Sequence, residues 1–314
     1  MKKPCVLTLL VALFCSSAAL AQRPVTLTFA AAVADQAVEC GVTYEGVGAE
    51  GSTIEFQDLR FYVSDVRLLT ADGEEVGLEL EPNGWQHQNV ALLDFEDGSA
   101  RCAASGNEAT NSAVTGTVPE GDYTGVAFTL GVPFALNHAD VATAPAPLNV
   151  SSMWWSWQGG YKHARIDLMS HSAVMVNMQS GGNTGGQGSG GQASGGHGGH
   201  GGAAQAGLWP IHIGSTGCES AASVIPPAIP CANPNLADVR LESIDLENDV
   251  IVADVGALLG GVDVSQSLET APPGCMSGSE DPDCDVVFAN LSLEPGGASQ
   301  RFFRVSSQGE AASR

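Results

Sequence analysis

Trp85 and His87 are the residues of this chain whose types and spacing point most directly to chemistry. In an extended strand, side chains two positions apart share a face and stand roughly 6–7 Å apart. The spacing therefore pairs an oxidisable indole with an imidazole that can ligate a metal. A Trp-x-His pair also occurs as ordinary core packing with the indole N–H satisfied, so both interpretations stay open.

Met169 and His171 provide a second pair of candidate ligands. If this segment is a strand, both lie on one face with Asp167 and Met175. Thioether and imidazole together suit copper(I), which is a soft ion. The alternative is that the methionines fill the core and His171 lies at the surface.

His138 and His212 each lie close to a predicted strand. Together with His87 they supply enough imidazoles for a two- or three-coordinate copper(I) site, provided that the fold brings them together. A lone histidine is also a common structural hydrogen-bond donor.

Three of the five tryptophans fall within residues 154–157. Such crowding is typical of a core or of the wall of a cavity, but exposed aromatic rings also stack on sugars. A secreted β-sandwich adhesion or carbohydrate-binding module is therefore the alternative function. The sequence contains no G-x-S-x-G, no H-E-x-x-H and no phosphate-binding glycine loop followed by lysine, so we predict no enzyme.

Residues 1–21 have the pattern of a signal peptide: two lysines, a short apolar stretch and the small-x-small sequence Ala19-Leu20-Ala21. We expect the mature chain to begin at Gln22 and to be periplasmic or secreted. No later apolar run is long enough to span a bilayer, so we expect no membrane insertion.

Six cysteines remain after the leader, an even number that is typical of disulfides in an oxidising compartment. The short spacings favour two local pairs and leave a third pair to link the first third of the chain. The predicted pairs are Cys218–Cys231, Cys275–Cys284 and Cys40–Cys102.

The mature chain is strongly acidic, with Lys162 as its only lysine against 35 acidic residues and nine arginines. Such a surface repels the phosphate backbone, so we expect no nucleic-acid partner. A basic protein or a cation is a better electrostatic match.

Alternating and β-branched segments separated by Gly, Pro, Asn and Asp turns predict an all-β, β-sandwich-like single domain over residues 22–314 with long loops. The predicted strands cover residues 25–34, 53–69, 90–95, 123–130, 163–178, 208–214, 236–246, 250–255 and 286–293. Short helical turns are expected near 137–141, 150–155 and 255–259.

Residues 180–207 are almost entirely Gly, Ser, Gln, Ala and His, a composition that buries too little apolar surface to become ordered. We predict a flexible Gly/His-rich insert within the domain. Its His197 and His200 are candidate weak metal ligands, although incidental histidines in a solvated loop explain them equally well.

Several ordered phrases along the mature chain resemble the MbnP-like proteins, also described as the four-Cys member of a metallo-mystery pair. They are LRFYVSD (59–65), WQ (85–86) with VALLDF (90–95), GVPF (131–134) with NHAD (137–140), WSWQGGYK (155–162), HIGSTGC (212–218) and PGCMSG (273–278).

The resemblance implies an exported copper-binding protein of copper acquisition or homeostasis, with copper(I) as its metal. It also implies that a tryptophan is oxidised to kynurenine by a di-haem, cytochrome-c-peroxidase-like partner and joins a copper(I) site with histidines. Trp85 matches the Trp-Gln phrase and takes the modified role, with His87 as the neighbouring ligand. Its oxidation must come from the haem partner, because nothing in the chain itself activates oxygen or peroxide.

The chain departs from this pattern at three places. His163 stands where an aromatic residue is expected, the Gly/His-rich insert is long, and six mature cysteines exceed four. These departures leave the ligand set open between His87, His138 and His212.

Overall fold

The structure is a computed structural model that describes residues 21–171, 207–267, 272–293 and 299–307. Nearly all of the predicted signal peptide and of the predicted insert, including His197 and His200, lies outside the described residues. The strands are β1 (Gln22–Val33), β2 (Gln36–Ala37), β3 (Thr43–Val47), β4 (Ser52–Thr70), β5 (Glu75–Gly77), β6 (Glu79–Leu80), β7 (Gln86–His87), β8 (Val90–Asp94), β9 (Ala113–Pro119), β10 (Tyr123–Leu130), β11 (Trp154–Ser156), β12 (Gly160–Ser170), β13 (Leu208–Gly214), β14 (Ala237–Leu241), β15 (Asp249–Asp254) and β16 (Phe303–Ser307). The helices are α1 (Phe134–Asn137), α2 (Val255–Leu258) and α3 (Asp285–Leu291), and 3-10 turns cover Ala100–Ala104 and Ser151–Met153.

The strands form two sheets, which confirms the predicted all-β sandwich. The first sheet has the order β16-β15-β1-β9-β6, with β2 beside β1, and its β1–β15 pair is parallel. The second has the order β11-β12-β4-β10-β14; β3, β5 and β8 also pair with β4, β13 pairs with β12 and β7 pairs with β8. The long central strand β4 therefore positions most of the second sheet.

The main core lies between the two sheets and follows the period of two expected of strands. Phe61 and Val63 of β4 point into it, and so do Ile166 and Leu168 of β12. Aromatic pairs fill the space between the sheets, for example Phe61 of β4 against Phe303 of β16 with ring centroids 5.5 Å apart. Edge-to-face contacts of this kind add to the burial of apolar area.

The outer face of the second sheet is also buried, because the chain between β10 and β12 folds over it. The apolar part of this layer, which we call the outer cluster, consists of Tyr62, Val90, Leu92, Val132, Leu148, Met153 and Tyr161. Tyr62 and Tyr161 meet edge to face at 5.9 Å, and the Tyr62 hydroxyl donates to the carbonyl of Pro147 at 3.0 Å. Covering this second face creates the environment of every candidate site residue described below.

The predicted strand at 286–293 is wrong, because residues 285–291 form helix α3. Val287 and Leu291, one helical turn apart, are both buried in the core, and the Asn290 amide donates to the carbonyl of Leu258. This tertiary packing overrides the strand preference of the valines. The strands that lie outside the predicted ranges are β2, β3, β5, β6, β7, β9, β11 and β16. Residues 172–178 of the predicted strand 163–178 lie outside the described residues. The three expected helical turns are present with shifted bounds.

All three predicted disulfides are present: Cys40–Cys102, Cys218–Cys231 and Cys275–Cys284. Within the described part of the chain, no helix combines the length and apolar character needed to cross a membrane. The boundaries of the domain, 22–314, stay a prediction.

Candidate functional site

Trp85 and His87 lie on the outer face of the second sheet. His87 of β7 pairs with Val90, and the Leu92 N–H donates to the Trp85 carbonyl at 3.0 Å. Val90 and Leu92 both belong to the outer cluster, and the Trp85 ring packs against that cluster. Since residues opposite each other in neighbouring strands point to the same side, Trp85 and His87 share this face.

Gln86, between them, points the other way and anchors the segment. Its side chain is only 2% exposed. The Gln86 amide donates to the carbonyls of Glu81 and Thr115 at 2.7 and 2.8 Å, and its oxygen accepts from the Thr115 N–H at 2.7 Å. Thr115 belongs to β9 of the first sheet, so Gln86 ties the two sheets together. This fixation holds Trp85 and His87 in place on the opposite side.

Neither of the two side chains is sealed in the interior. Trp85 and His87 are both half-buried, and Nε2 of His87 lies 3.1 Å from the amide nitrogen of Gln88. An indole edge and an imidazole are therefore accessible from the same side of the protein.

His138 follows helix α1 and is buried, at 7% exposed. Its Nδ1 lies 3.0 Å from the Trp157 carbonyl, which accepts a hydrogen bond and so places the proton on Nδ1. Nε2 keeps its lone pair and lies 3.4 Å from the Asn137 amide nitrogen and 3.6 Å from Sγ of Cys231. Burial lowers the pKa of His138, so the ring is neutral at pH 7.

His163 has the same arrangement at a fully buried position in β12. Its Nδ1 lies 3.1 Å from the Asn235 carbonyl, and its buried Nε2 has no hydrogen-bond partner. Burial, with a smaller contribution from the nearby His138, lowers the pKa of His163 to about 4, although the hydrogen bond to the Asn235 carbonyl opposes the shift. Gly131 makes room for the ring, since a Cβ there would lie 2.8 Å from the His163 imidazole.

His138 and His163 thus share a feature that is typical of metal-binding histidines, which donate one ring N–H to a carbonyl and offer the other nitrogen. Both are neutral, the state that binds a metal. Sequence reasoning treated His163 only as a departure from the family pattern and did not pair it with His138. The only signal in the sequence was a histidine directly after the GYK phrase, inside a strand.

His212 of β13 is held in a different network. Its Nε2 lies 2.7 Å from Oδ1 of Asp167, while its buried Nδ1 has no partner. Burial lowers the pKa of His212. Burial also raises the pKa of Asp167, but His212 and Arg165 outweigh it and hold that carboxyl below its usual range. His212 therefore donates one ring N–H to a carboxylate and leaves the other ring nitrogen without a partner, as His163 does.

Asp167 belongs to a buried ionic layer on the outer face. Arg60, 1% exposed, binds Asp58 and lies 3.5 Å from Glu96, while Arg165 lies 3.1 Å from Asp58. Multiple hydrogen bonds make such buried charges tolerable. The layer borders the outer cluster and fixes β4 and β12 relative to the loop after β8.

Met169 lies on the same face of β12 as Asp167 and is 8% exposed. The strand ends at Ser170, and Nε2 of His171 lies 3.4 Å from a carboxylate oxygen of Glu55. A carboxylate thus occupies the ring nitrogen that the predicted thioether site would use. No described contact joins His171 to Met169.

The aromatic segment forms a wall rather than an exposed platform. Trp154 and Trp157 meet edge to face at 5.9 Å, and Tyr161 is fully buried. A Cβ on Gly214 would lie 2.5 Å from the Trp155 ring, which shows how closely this ring covers β13. This packing does not favour sugar stacking.

Among the described residues, one group of donor atoms has metal-ligand spacing: His138, Cys218 and Cys231, all within 4.8 Å of one another. The two sulfurs form a disulfide, and a disulfide sulfur is a poor ligand compared with a thiolate. In the oxidised protein this group therefore offers only an imidazole.

The described part of the chain is thus a two-sheet all-β sandwich with three disulfides and buried imidazoles on the outer face of its second sheet. A sequence model of the MbnP family matches residues 22–277, and the chain belongs to this family. The chain is similar to the solved structure of MbnP from Methylosinus trichosporium, with 28% identity and a TM-score of 0.74 over 92% of this chain and 100% of that chain. None of the curated proteins compared with the chain matches it.

Proposed function

We propose that this protein is a non-catalytic copper(I)-binding protein that acts outside the cytoplasm. Membership of the MbnP family supports a copper-related role in the methanobactin system. The three disulfides are typical of an oxidising compartment. The neutral rings of His138 and His163 supply the donor type that copper(I) accepts.

Trp85 is the residue that a di-haem, peroxidase-like partner oxidises to kynurenine. The reaction cleaves the C2–C3 bond of the indole, C2 leaves as formate, and the four electrons pass through the partner's haem to two equivalents of peroxide. An aniline nitrogen and a ketone remain, groups that interact with a metal more readily than an indole does. The observation that carries this proposal is the shared, accessible face of Trp85 and His87, which Gln86 holds in place. The oxidising equivalents come from the haem of the partner.

His87 is the proposed ligand beside the modified residue, and His163 is a buried donor whose orientation is already fixed. His138 is the alternative buried donor, although its only available nitrogen lies beside the disulfide Cys218–Cys231. His212 meets the same criterion as His163, because its Nε2 donates to Asp167 and its buried Nδ1 has no partner. Met169 with His171 is the weaker candidate, because His171 pairs with Glu55.

Co-expression with the di-haem partner tests the modification. Peptide mass spectrometry is expected to find oxidation at Trp85, and copper(I) titration against a chromophoric chelator is expected to show about tenfold weaker binding by Trp85→Phe, about 1.4 kcal/mol. Trp155→Phe, which removes another half-buried indole, is the matched control and is expected to bind normally. Unmodified tryptophans together with equal affinity of the Trp85→Phe variant would contradict the proposal.

Single histidine variants identify the ligands. His87→Ala and His163→Gln are expected to weaken copper(I) binding, whereas His171→Ala is expected to leave it unchanged because that ring pairs with Glu55. Loss of binding in His171→Ala alone would instead move the site to the end of β12.

A further inference from the structure

The disulfide Cys218–Cys231 lies beside the unprotonated nitrogen of His138. Nε2 of His138 is 3.6 Å from Sγ of Cys231, and the three potential donor atoms lie within 4.8 Å of one another. The Trp157 carbonyl fixes the proton of His138 on Nδ1, so Nε2 carries a lone pair. The Asn137 amide approaches Nε2 at 3.4 Å and also donates to the Ser215 hydroxyl, so it keeps a partner when Nε2 turns to a metal. Cys218 and Cys231 therefore have a nitrogen ligand within reach.

The backbone keeps the two cysteines together without help from the sulfur–sulfur bond. The Thr216 N–H donates to the Asn233 carbonyl at 2.8 Å, and the Asn233 N–H donates back at 3.0 Å. The Gln158 amide also donates to the Cys218 carbonyl at 2.8 Å. Because these hydrogen bonds survive reduction, two thiols would stay adjacent to each other and to His138.

We propose that Cys218–Cys231 is a redox gate for a second copper(I) site, in which the two cysteine thiolates and Nε2 of His138 bind the ion. This inference rests on the proposed copper role. A dithiol reductant attacks one sulfur, the disulfide breaks through a mixed disulfide, and the second thiol of the reductant completes the exchange. Two electrons and two protons pass to Cys218 and Cys231, the reductant becomes a disulfide, and the thiol protons leave when copper(I) binds.

The spacing fits such a site. If metal–ligand distances are about 2.0 Å to nitrogen and about 2.3 Å to sulfur, as at zinc sites, a trigonal ion places those two ligands roughly 3.7–3.8 Å apart. The separation of His138 Nε2 from Cys231 Sγ is 3.6 Å. Only the sulfurs must rotate apart after reduction. Thiolates select copper(I), so the reduced site should bind it more tightly than imidazole alone.

The disulfide Cys218–Cys231 closes a surface loop, so a reductant gains access when that loop opens. Cys218 and Cys231 themselves are 9% and 7% exposed, compared with 0% for Cys275 and Cys284. The loop that the disulfide closes is itself open to solvent, with Val224 69% exposed. The disulfide thus separates a buried histidine from an accessible loop.

The test uses the full chain. It is reduced anaerobically with a dithiol, freed of reductant by desalting, mapped for free thiols by peptide mass spectrometry, and titrated with copper(I) against a chelator. Reduced protein is expected to bind one more ion than oxidised protein, with X-ray absorption showing sulfur at roughly 2.3 Å. The gain is expected to vanish in Cys218→Ser/Cys231→Ser and to weaken at least about tenfold in His138→Gln, which keeps every cysteine.

Cys40→Ser/Cys102→Ser is the matched control, because it removes a disulfide that is not part of the His138 group and should keep the gain. Urea denaturation checks that each variant folds. The gate would be overturned if reduced protein, with Cys218 and Cys231 confirmed as thiols, bound no more copper(I) than oxidised protein. It would also be overturned if the added ion had no sulfur ligands. Failure of the oxidised protein to bind copper(I) would count against the proposed function but not against the gate.

Discussion

Asp94→Asn is expected to stabilise the protein at alkaline pH and to have a smaller effect in acid. Asp94 ends β8 and is 1% exposed in the ionic layer. Burial raises its pKa from the usual 3.8 to about 7; Arg60 opposes the rise and Glu96 adds to it. Both oxygens of Asp94 accept hydrogen bonds, from the Glu96 N–H at 3.2 Å and the Asn107 amide at 3.3 Å. Asparagine keeps the shape of the side chain and, like the protonated carboxyl, has one acceptor oxygen and one donor group, so it mimics the neutral form of Asp94.

The size and the sign of this effect on the free energy of unfolding follow from proton linkage. Unfolded Asp94 loses its proton above pH 3.8, whereas the folded carboxyl keeps it until about pH 7. Its contribution to the free energy of unfolding therefore declines between these values and is fully lost above pH 7. At about 1.4 kcal/mol for each tenfold change, the upper limit is about 4 kcal/mol. Structural relaxation in a real interior reduces this figure, so we expect a gain of about 2 kcal/mol.

Urea denaturation of both proteins at pH 5 and pH 8 measures the effect. We expect Asp94→Asn to gain about 2 kcal/mol over the wild type at pH 8 and only about 0.7 kcal/mol at pH 5, where about a third of the decline has occurred. Asp122→Asn, at an exposed aspartate, is the control and should change little at either pH. A variant that is less stable at pH 8 would refute the reasoning, because it would mean that attraction to Arg60 exceeds the cost of burying the charge.

Three further substitutions test positions that hold the site. Gly131→Ala, at a φ of +129° and with its Cβ 2.5 Å from Leu236, should lower the free energy of unfolding by about 2–4 kcal/mol in urea, while Gly77→Ala in open space should not. Gln86→Leu should cost about 2–3 kcal/mol by the same measurement, because the Thr115 N–H loses its buried acceptor. His163→Gln should reduce the pH dependence of the free energy of unfolding between pH 6.5 and 4. The pKa of His163 is about 4 in the folded protein and 6.5 in the unfolded chain, so the wild type loses stability as the pH falls through this range. An unchanged pH dependence in the variant would contradict the burial of a neutral ring.

The strands were predictable where burial follows the period of two. Phe61 and Val63 alternate with Tyr62 on β4, and both faces are apolar because loops cover the outer one. The same β-forming residues misled the prediction at 286–293, where the contacts of Val287 and Leu291 decide for a helix. Local preference cannot reveal contacts made with a distant segment.

The candidate site, like the fold, could be predicted only in part. The shared face of Trp85 and His87 follows from local spacing and could be predicted. The similar roles of His138 and His163 depend on the carbonyls of Trp157 and Asn235, which only the folded chain brings to them. Disulfide pairing was predictable because two of the pairs are close in sequence.

The parallel pairing of β1 with β15 governs the order in which the protein is completed. Phe29 lies opposite Ile251, and β1 also sits against β9, so the first strand to be synthesised becomes an interior strand of its sheet. Its second neighbour, β15, covers Asp249–Asp254 and is therefore synthesised late. Contacts this distant slow folding and leave an open hydrogen-bonding edge during synthesis. A truncated chain ending before residue 249 would therefore be expected to aggregate rather than to fold into a smaller version of the same sandwich.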